Sequence, residues 1–193
     1  MMRAMPPHLP FTFEPVRTER LLLRMMTTDD VDDIHAYQSR DDVCRYLLFE
    51  PRDRTTVAEK VAANAAASTL AKDDDHWQIA MQLDGRVIGD VFFALRSVEH
   101  ATGEIGWTLH PDFGGRGYMT EAAGAVLRLA FETLDLHRVF ANLDARNDAS
   151  VAMCRRLGLR EEAHHLEDVW FKGEWSDSYI YAVLAREWRA AAT

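Results

Sequence analysis

Several short stretches of the 193-residue chain alternate between apolar and polar residues, a period of two that is typical of half-buried β-strands. The clearest covers residues 77–83; residues 86–95 return as a second strand with a nearly continuous apolar core, and the dipeptide between them, Asp84-Gly85, favours a two-residue hairpin turn. The same alternation predicts further strands at residues 20–25, 104–109 and 138–144, and a terminal hairpin made of 169–171 and 179–184. We therefore expect a twisted, mixed sheet in which most neighbouring strands are antiparallel.

Helices are predicted between these strands. Thr27-x-x-Asp30 and Thr56-x-x-Glu59 have the form of capping boxes at helix N-termini. Apolar residues three and four apart form one helical face over residues 120–134, and Asn147-x-x-Ser150 begins a last helix that ends before Gly158. The resulting fold class is α/β (α+β), with helices flanking the sheet.

The order of elements also predicts topology and extent. A strand at 104–109, a helix and a strand at 138–144 form a parallel connection, which is right-handed in nearly all proteins. We find no linker or internal repeat, so residues 17–189 are expected to form one domain, with residues 1–16 as a loose N-terminal tail.

Composition narrows the class of protein. With 48% hydrophobic and 27% charged residues, the chain has an ordinary globular balance. A net charge of −9 argues against nucleic acid as a partner and favours cationic substrates. The two cysteines, Cys44 and Cys154, are too few for a disulfide framework and are expected to be reduced thiols. No apolar run approaches the ~20 residues that span a bilayer, and the N-terminus lacks the hydrophobic core of a signal peptide. We predict a cytoplasmic protein with no membrane partner, either a monomer or a homodimer.

A glycine-rich turn separates the strand at 104–109 from the helix that follows. His110-Pro111 ends the strand, and Gly114, Gly115, Arg116 and Gly117 precede the helix. Glycines let the backbone approach a ligand closely, and the first N–H groups of a helix attract anions. The turn matches neither the Walker loop nor the dinucleotide-binding pattern Gly-x-Gly-x-x-Gly, so on its own it predicts either an anion site or a tight turn.

The residues around this turn resemble motif A of the GNAT acyltransferases, which bind acetyl-coenzyme A. The branch that contains the ribosomal-protein N-terminal acetyltransferases is the most similar, because it shares two runs: Glu104-Ile105-Gly106-Trp107-Thr108-Leu109-His110-Pro111 and Gly115-Arg116-Gly117-Tyr118-Met119-Thr120-Glu121-Ala122. The chain departs from the broader motif at Gly114, where Gln or Arg is usual, and at Met119, where a small residue is usual. Backbone donors survive both changes.

The resemblance extends over residues 18–188 and implies a fold and a coenzyme site. In the family, the strand at 104–109 splays from the next strand, and the coenzyme's amide arm pairs with the exposed edge. The expected donor is acetyl-coenzyme A, used without a metal. The residues implied to bind it are Trp107, Thr108, Leu109, Gly114, Gly115, Arg116, Gly117, Tyr118, Met119, Thr120, Asn142, Asn147 and Ser150. Asn147 has an alternative role as a helix cap.

Three residues are candidates for proton transfer. Glu104 shares the splayed strand and is the first candidate for the general base, with a solvated surface carboxylate as the alternative. Glu121 is a second candidate base, although a carboxylate in the first turn of a helix also stabilises the helix dipole. Cys154 occupies the position of the family's general-acid tyrosine, and as a small apolar residue it also suits packing. His164 and His165 point to opposite faces of a strand, which argues against a shared metal ion.

The chain is thus expected to transfer acetyl from acetyl-coenzyme A to a primary amine by direct attack. The acceptor is expected to be a protein N-terminus or a small cationic amine. Alternatives are an antibiotic or polyamine acetyltransferase, and a domain that binds coenzyme A without catalysis. The acceptor pocket should come from residues 49–56 and 170–175, which carry no recognisable motif.

Overall fold

The computed structural model describes residues 7–191 and contains, within that range, one large mixed sheet with helices on both faces. The strands are β1 (Phe11–Thr12), β2 (Val16–Arg17), β3 (Leu22–Met25), β4 (Thr69–Leu70), β5 (His76–Leu83), β6 (Arg86–Ser97), β7 (Thr102–Leu109), β8 (Arg138–Asp144), β9 (Arg160–Phe171) and β10 (Glu174–Leu184). The helices are α1 (Val31–Gln38), α2 (Asp41–Cys44), α3 (Arg54–Ala66), α4 (Tyr118–Arg128), α5 (Asp148–Arg156) and α6 (Ala185–Ala191). The predicted fold class is confirmed.

The large sheet has the strand order β2-β3-β5-β6-β7-β8-β10-β9. Neighbours are antiparallel except β7 and β8, which α4 connects as the predicted parallel crossover. These two strands pair from Thr102 opposite Arg138 to Glu104 opposite Phe140 and then separate, so the predicted splay is present. A gap therefore opens between the C-terminal halves of β7 and β8.

The sheet separates two hydrophobic cores. On one face, α4 packs Val126, Leu127 and other apolar residues against β5, β6 and β7. On the other face, α1 and α3 contribute Ile34, Val57 and neighbouring residues to a smaller core. Because each face of the sheet meets a helix, the central strand β6 is buried on both faces over most of its length.

The N-terminal segment is not a loose tail over its described part. β1 pairs with β4, the backbone N–H of His8 donates to the Leu134 carbonyl at 3.0 Å, and Phe13 is buried with its ring edge against Trp77 at 5.1 Å. The described part of this segment therefore packs against the rest of the protein. Residues 1–6 of the predicted tail lie outside the described range.

The capping patterns are used in a modified form. Thr27 and Asp30 make their capping box at a 3₁₀ turn, Thr28–Asp30, just before α1. α3 begins earlier than predicted, because the side chain of Asp53 accepts a hydrogen bond from the backbone N–H of Thr56 at 2.7 Å. None of the described helices is long and apolar enough to cross a membrane.

Candidate active site

The glycine-rich turn follows β7 directly. A 3₁₀ turn, Pro111–Phe113, leads into Gly115 and Gly117, whose φ angles of 72° and 78° lie in the left-handed region that favours glycine. The Glu121 N–H closes the first turn of α4 on the Gly117 carbonyl at 3.0 Å. The N–H groups of residues 118–120 precede this bond and lie at the positive end of the helix dipole. The turn therefore has the geometry of an anion site.

A cleft of about 700 Å³ lies against this turn, within the range of volumes typical of ligand pockets. It is lined by most of the residues predicted to bind the coenzyme: Trp107, Leu109, Gly114, Gly115, Gly117, Tyr118, Met119, Thr120 and Ser150. Glu121 and three residues of α5 that were not predicted complete the lining: Ala149, Met153 and Arg156. The helical spacing of Met153 and Arg156 from Ser150 is a signal that could have identified them.

Four predicted coenzyme residues do not line this cleft. Thr108 and Asn142 border two other cavities, Arg116 has an exposed side chain 5.9 Å from the Phe113 ring, and Asn147 accepts a hydrogen bond from the Ser150 N–H at 3.1 Å. Successive residues of a strand point to opposite faces of the sheet, so Thr108, between Trp107 and Leu109, does not point into the cleft that those two residues line. Asn142 likewise borders a cavity other than the cleft. Asn147 caps α5, which is the alternative role that the sequence allowed.

The gap between β7 and β8 exposes backbone donors. The His110 N–H donates to the Ile88 carbonyl at 2.9 Å, which makes these residues a hydrogen-bonded pair of the antiparallel β6–β7 ladder. Because such pairs alternate along a ladder, the N–H groups of Thr108 and Gly106 also face β6. Those of Trp107 and Leu109 consequently face the gap, where the amide arm of a coenzyme could pair with them.

A hydrogen bond between side chains crosses the cleft. Trp107 Nε1 donates to Ser150 Oγ at 3.2 Å, which ties β7 to the first turn of α5. Both residues line the cleft, so this bond fixes the distance between its two walls.

Glu104 lies on the opposite face of the sheet from the cleft, at the point where β7 and β8 separate. It borders a cavity of about 120 Å³ together with Tyr46, Asn142 and Phe171. Arg96 Nε donates to Glu104 Oε2 at 2.6 Å, and the Glu104 side chain is 19% exposed. The structure thus places this carboxylate at the end of the gap, in an ion pair, where a ligand in the gap could reach it.

A second carboxylate on this face was not singled out from the sequence. Asp90 is the β6 partner of Thr108 and borders a cavity of about 190 Å³ beneath α1 and α3. Tyr37 Oη donates to Asp90 at 2.5 Å, and Gln78 also donates to it. Burial raises the pKa of Asp90 to about 6, although these hydrogen bonds act in the opposite direction. An acidic residue within an otherwise apolar strand was the available signal.

Cys154 does not suit the predicted acid role. Its side chain is fully buried in the core between α5 and the sheet, and it does not border the cleft that Met153 lines. Burial raises the pKa of the Cys154 thiol to about 12, far above that of an effective acid near neutral pH. The structure supports the packing alternative.

Glu121 is likewise occupied by structural contacts. Its carboxylate accepts hydrogen bonds from the Thr18 hydroxyl at 2.5 Å and from the backbone and side chain of Arg20. Burial acts to raise the pKa of Glu121, but these bonds outweigh it and lower the pKa below the usual range. Glu121 is therefore an anchor rather than a base. Among the described residues, no cluster of His, Cys, Asp and Glu could hold a metal ion.

Comparison with known proteins identifies the family. The model of the acetyltransferase (GNAT) domain matches residues 20–160, most of the chain. The chain belongs to the GNAT acetyltransferase family. This confirms the resemblance inferred from the turn and its flanking runs, and it identifies the protein as an N-acetyltransferase. GNAT acetyltransferases use acetyl-coenzyme A and transfer its acetyl group to amines.

Individual relatives align with this chain over nearly their whole length. The uncharacterised N-acetyltransferase YnaD of Bacillus subtilis is 29% identical over 176 residues, which cover 90% of this chain and 98% of YnaD. The putative ribosomal N-acetyltransferase YdaF of Bacillus subtilis is 30% identical over 174 residues, 88% of this chain and 94% of YdaF. The crystal structure of a GNAT-family acetyltransferase from Bacillus anthracis is 30% identical, with a TM-score of 0.80 over 90% of this chain and 99% of its own.

Proposed function

We propose that this GNAT acetyltransferase binds acetyl-coenzyme A in the cleft and transfers the acetyl group directly to a primary amine, without a covalent enzyme intermediate. The observation that carries the proposal is the continuity from the glycine-rich turn, along the splayed edge of β7, to Glu104. The turn binds the pyrophosphate through the N–H groups of residues 118–120. The amide arm pairs with the edge of β7 that carries Trp107 and Leu109.

The length of the strand fits this arrangement. Glu104 lies five residues before Leu109, and a strand rises ~3.3 Å per residue, so the two are roughly 17 Å apart along β7. An extended arm that starts at the turn therefore ends near Glu104, on the far side of the gap. Asn142 lies opposite Glu104 in the same small cavity.

The chemistry follows from this placement. Glu104, directly or through a water molecule, takes a proton from the ammonium group of the acceptor, and the free amine attacks the thioester carbonyl. Backbone N–H groups facing the gap stabilise the oxyanion. The carbon–sulfur bond then breaks, and the coenzyme leaves as a thiolate that takes a proton from solvent. Because Cys154 is fully buried, this scheme assigns no acid role to it.

We further propose that the acceptor is a protein N-terminus or a small cationic amine. The net charge of −9 and the printed name of YdaF, a putative ribosomal N-acetyltransferase, support this range. Phe171 and Tyr46, which border the Glu104 cavity, offer an aromatic surface to an acceptor. The buried, unbridged cysteines suit the reducing cytoplasm.

The test is release of free thiol from acetyl-coenzyme A in the presence of a panel of amines: N-terminal peptides, polyamines and aminoglycosides. We expect turnover with at least one class, together with an acetylated product detected by mass spectrometry. Tight binding of coenzyme A without thiol release across the panel would instead favour a domain that binds the coenzyme without catalysis.

A further inference from the structure

Arg20, far from the turn in sequence, lies directly behind it. Arg20 Nη1 donates to the Arg116 carbonyl oxygen at 2.8 Å, and Arg20 Nε donates to Glu121 Oε2 at 2.6 Å. The guanidinium also lies 4.5 Å from the centroid of the Tyr118 ring. A single side chain thus contacts the last peptide of the turn, the first residue of α4 and the carboxylate one helical turn later.

The bond to Arg116 fixes the direction of a peptide group. The Arg116 carbonyl and the Gly117 N–H belong to one trans peptide, so they point in opposite directions. Because the carbonyl faces Arg20, the Gly117 N–H faces away from it. Arg20 borders a separate surface hollow with Arg17 and Leu22, whereas Gly117 borders the coenzyme cleft. The N–H is consequently turned toward the cleft.

Arg20 itself is held in place by further contacts within the protein. Glu121 also accepts hydrogen bonds from the Arg20 backbone N–H at 2.8 Å and from the Thr18 hydroxyl. The Glu121 side chain is 15% exposed and the Arg20 side chain is 39% exposed, so the carboxylate is mostly shielded from water while the guanidinium is partly solvated. Because Arg20 is fixed, the Gly117 N–H that it orients needs little further ordering when it binds an anion, and this favours binding.

We propose that Arg20 is a positioning residue for the coenzyme: it orients the Gly117 peptide toward the pyrophosphate and thereby makes the enzyme select donors that carry this group. The inference rests on the proposed use of acetyl-coenzyme A. Hydrogen bonds from a backbone N–H to a charged phosphate are of the strong, charge-assisted kind. The loss of one such bond corresponds to a change of about 10- to 100-fold in affinity.

The experiment compares two donors, acetyl-coenzyme A and acetyl-pantetheine, which lacks the pyrophosphate. For Arg20→Met we expect KM for acetyl-coenzyme A to rise about 10- to 100-fold with little change in kcat, while kcat/KM for acetyl-pantetheine stays unchanged. Arg20→Lys keeps a positive charge near Glu121, but an ammonium lacks the fork that serves two acceptors, so we expect the same rise with less loss of stability.

Arg138→Met is the matched control. Arg138 also pairs with a glutamate, Glu162, at 2.5 Å and lies 5.2 Å from an aromatic centroid, that of Phe140, but it is remote from the turn. We expect both donors to behave as with the unmodified enzyme. Equal losses with both donors in the Arg20 variants, or an unchanged KM for acetyl-coenzyme A, would overturn the proposal.

Calorimetric titration with coenzyme A separates this inference from the proposed function. If the unmodified protein turns over no amine, the proposed function fails, yet a 10- to 100-fold weaker affinity of Arg20→Lys for coenzyme A still supports the positioning role. If turnover is found and both Arg20 variants bind coenzyme A as tightly as the unmodified enzyme, the positioning role fails alone.

Discussion

Replacing Gly117 with alanine tests whether the backbone of the turn binds the coenzyme. Gly117 has a φ angle of 78°, and an added Cβ would meet Arg20 Nη2 at 3.4 Å, an ordinary contact. The cost to folding is therefore mainly that of a left-handed alanine, about 1–2 kcal/mol. The methyl group points toward Arg20 rather than into the cleft, so the effect on binding should come from the displaced Gly117 peptide: we expect coenzyme A affinity to fall by about 10- to 100-fold, the size of one lost charge-assisted hydrogen bond.

Gly85→Ala provides the matched control. Gly85 has a φ angle of 85° in the β5–β6 hairpin, with no atom within 4 Å of an added Cβ. It should lose the same 1–2 kcal/mol in the free energy of unfolding and bind coenzyme A normally. Denaturant unfolding and calorimetry measure the two quantities. If Gly117→Ala binds coenzyme A as Gly85→Ala does, the turn is not the anion site and the reasoning fails.

Three further substitutions test the remaining assignments. Glu104→Gln should lower kcat by ~10²–10⁴-fold without altering coenzyme affinity. Glu162→Gln, which also breaks an arginine pair, should keep kcat within about twofold of the unmodified enzyme. Cys154→Ala should cost about 1 kcal/mol of stability and leave kcat unchanged; a large loss of kcat would restore its acid role. The pKa of Asp90 is raised from 3.8 to about 6, so its ionisation should cost about 3 kcal/mol of stability as pH rises from about 3 to about 8. Asp90→Asn should abolish this loss in thermal melts at several pH values.

The sequence predicted those parts of the fold in which local pattern and packing agree. The β5–β6 hairpin was predicted because Asp84-Gly85 is flanked by an alternating strand and by a nearly continuous apolar one, and the apolar residues of both are buried. β9 was underestimated, with only residues 169–171 assigned to it. Most of this twelve-residue edge strand is exposed on both faces and carries charged residues, so no period of two reveals it.

The candidate site was predicted best where backbone supplies the chemistry. The turn is recognisable in the sequence because its left-handed φ angles favour glycine, which occupies positions 115 and 117. The role of a side chain depends on whether its face of the strand or helix packs against the core or borders a cavity. Thr108 and Cys154 were misplaced for that reason, since spacing alone does not show whether a residue faces a cavity or the core.

The separation of β7 from β8 leaves the two parts of the sheet joined by three residue pairs, Thr102–Glu104 with Arg138–Phe140. A pantetheine arm that hydrogen-bonds to the open edge would occupy the place of a missing strand, so the substrate would also serve as a structural element. Every equilibrium that opens the gap would then depend on coenzyme concentration, and stability would rise by RT ln(1 + [L]/Kd). Amides of β8 beyond Phe140 should exchange with deuterium more slowly as coenzyme A is added, even though no acceptor is present.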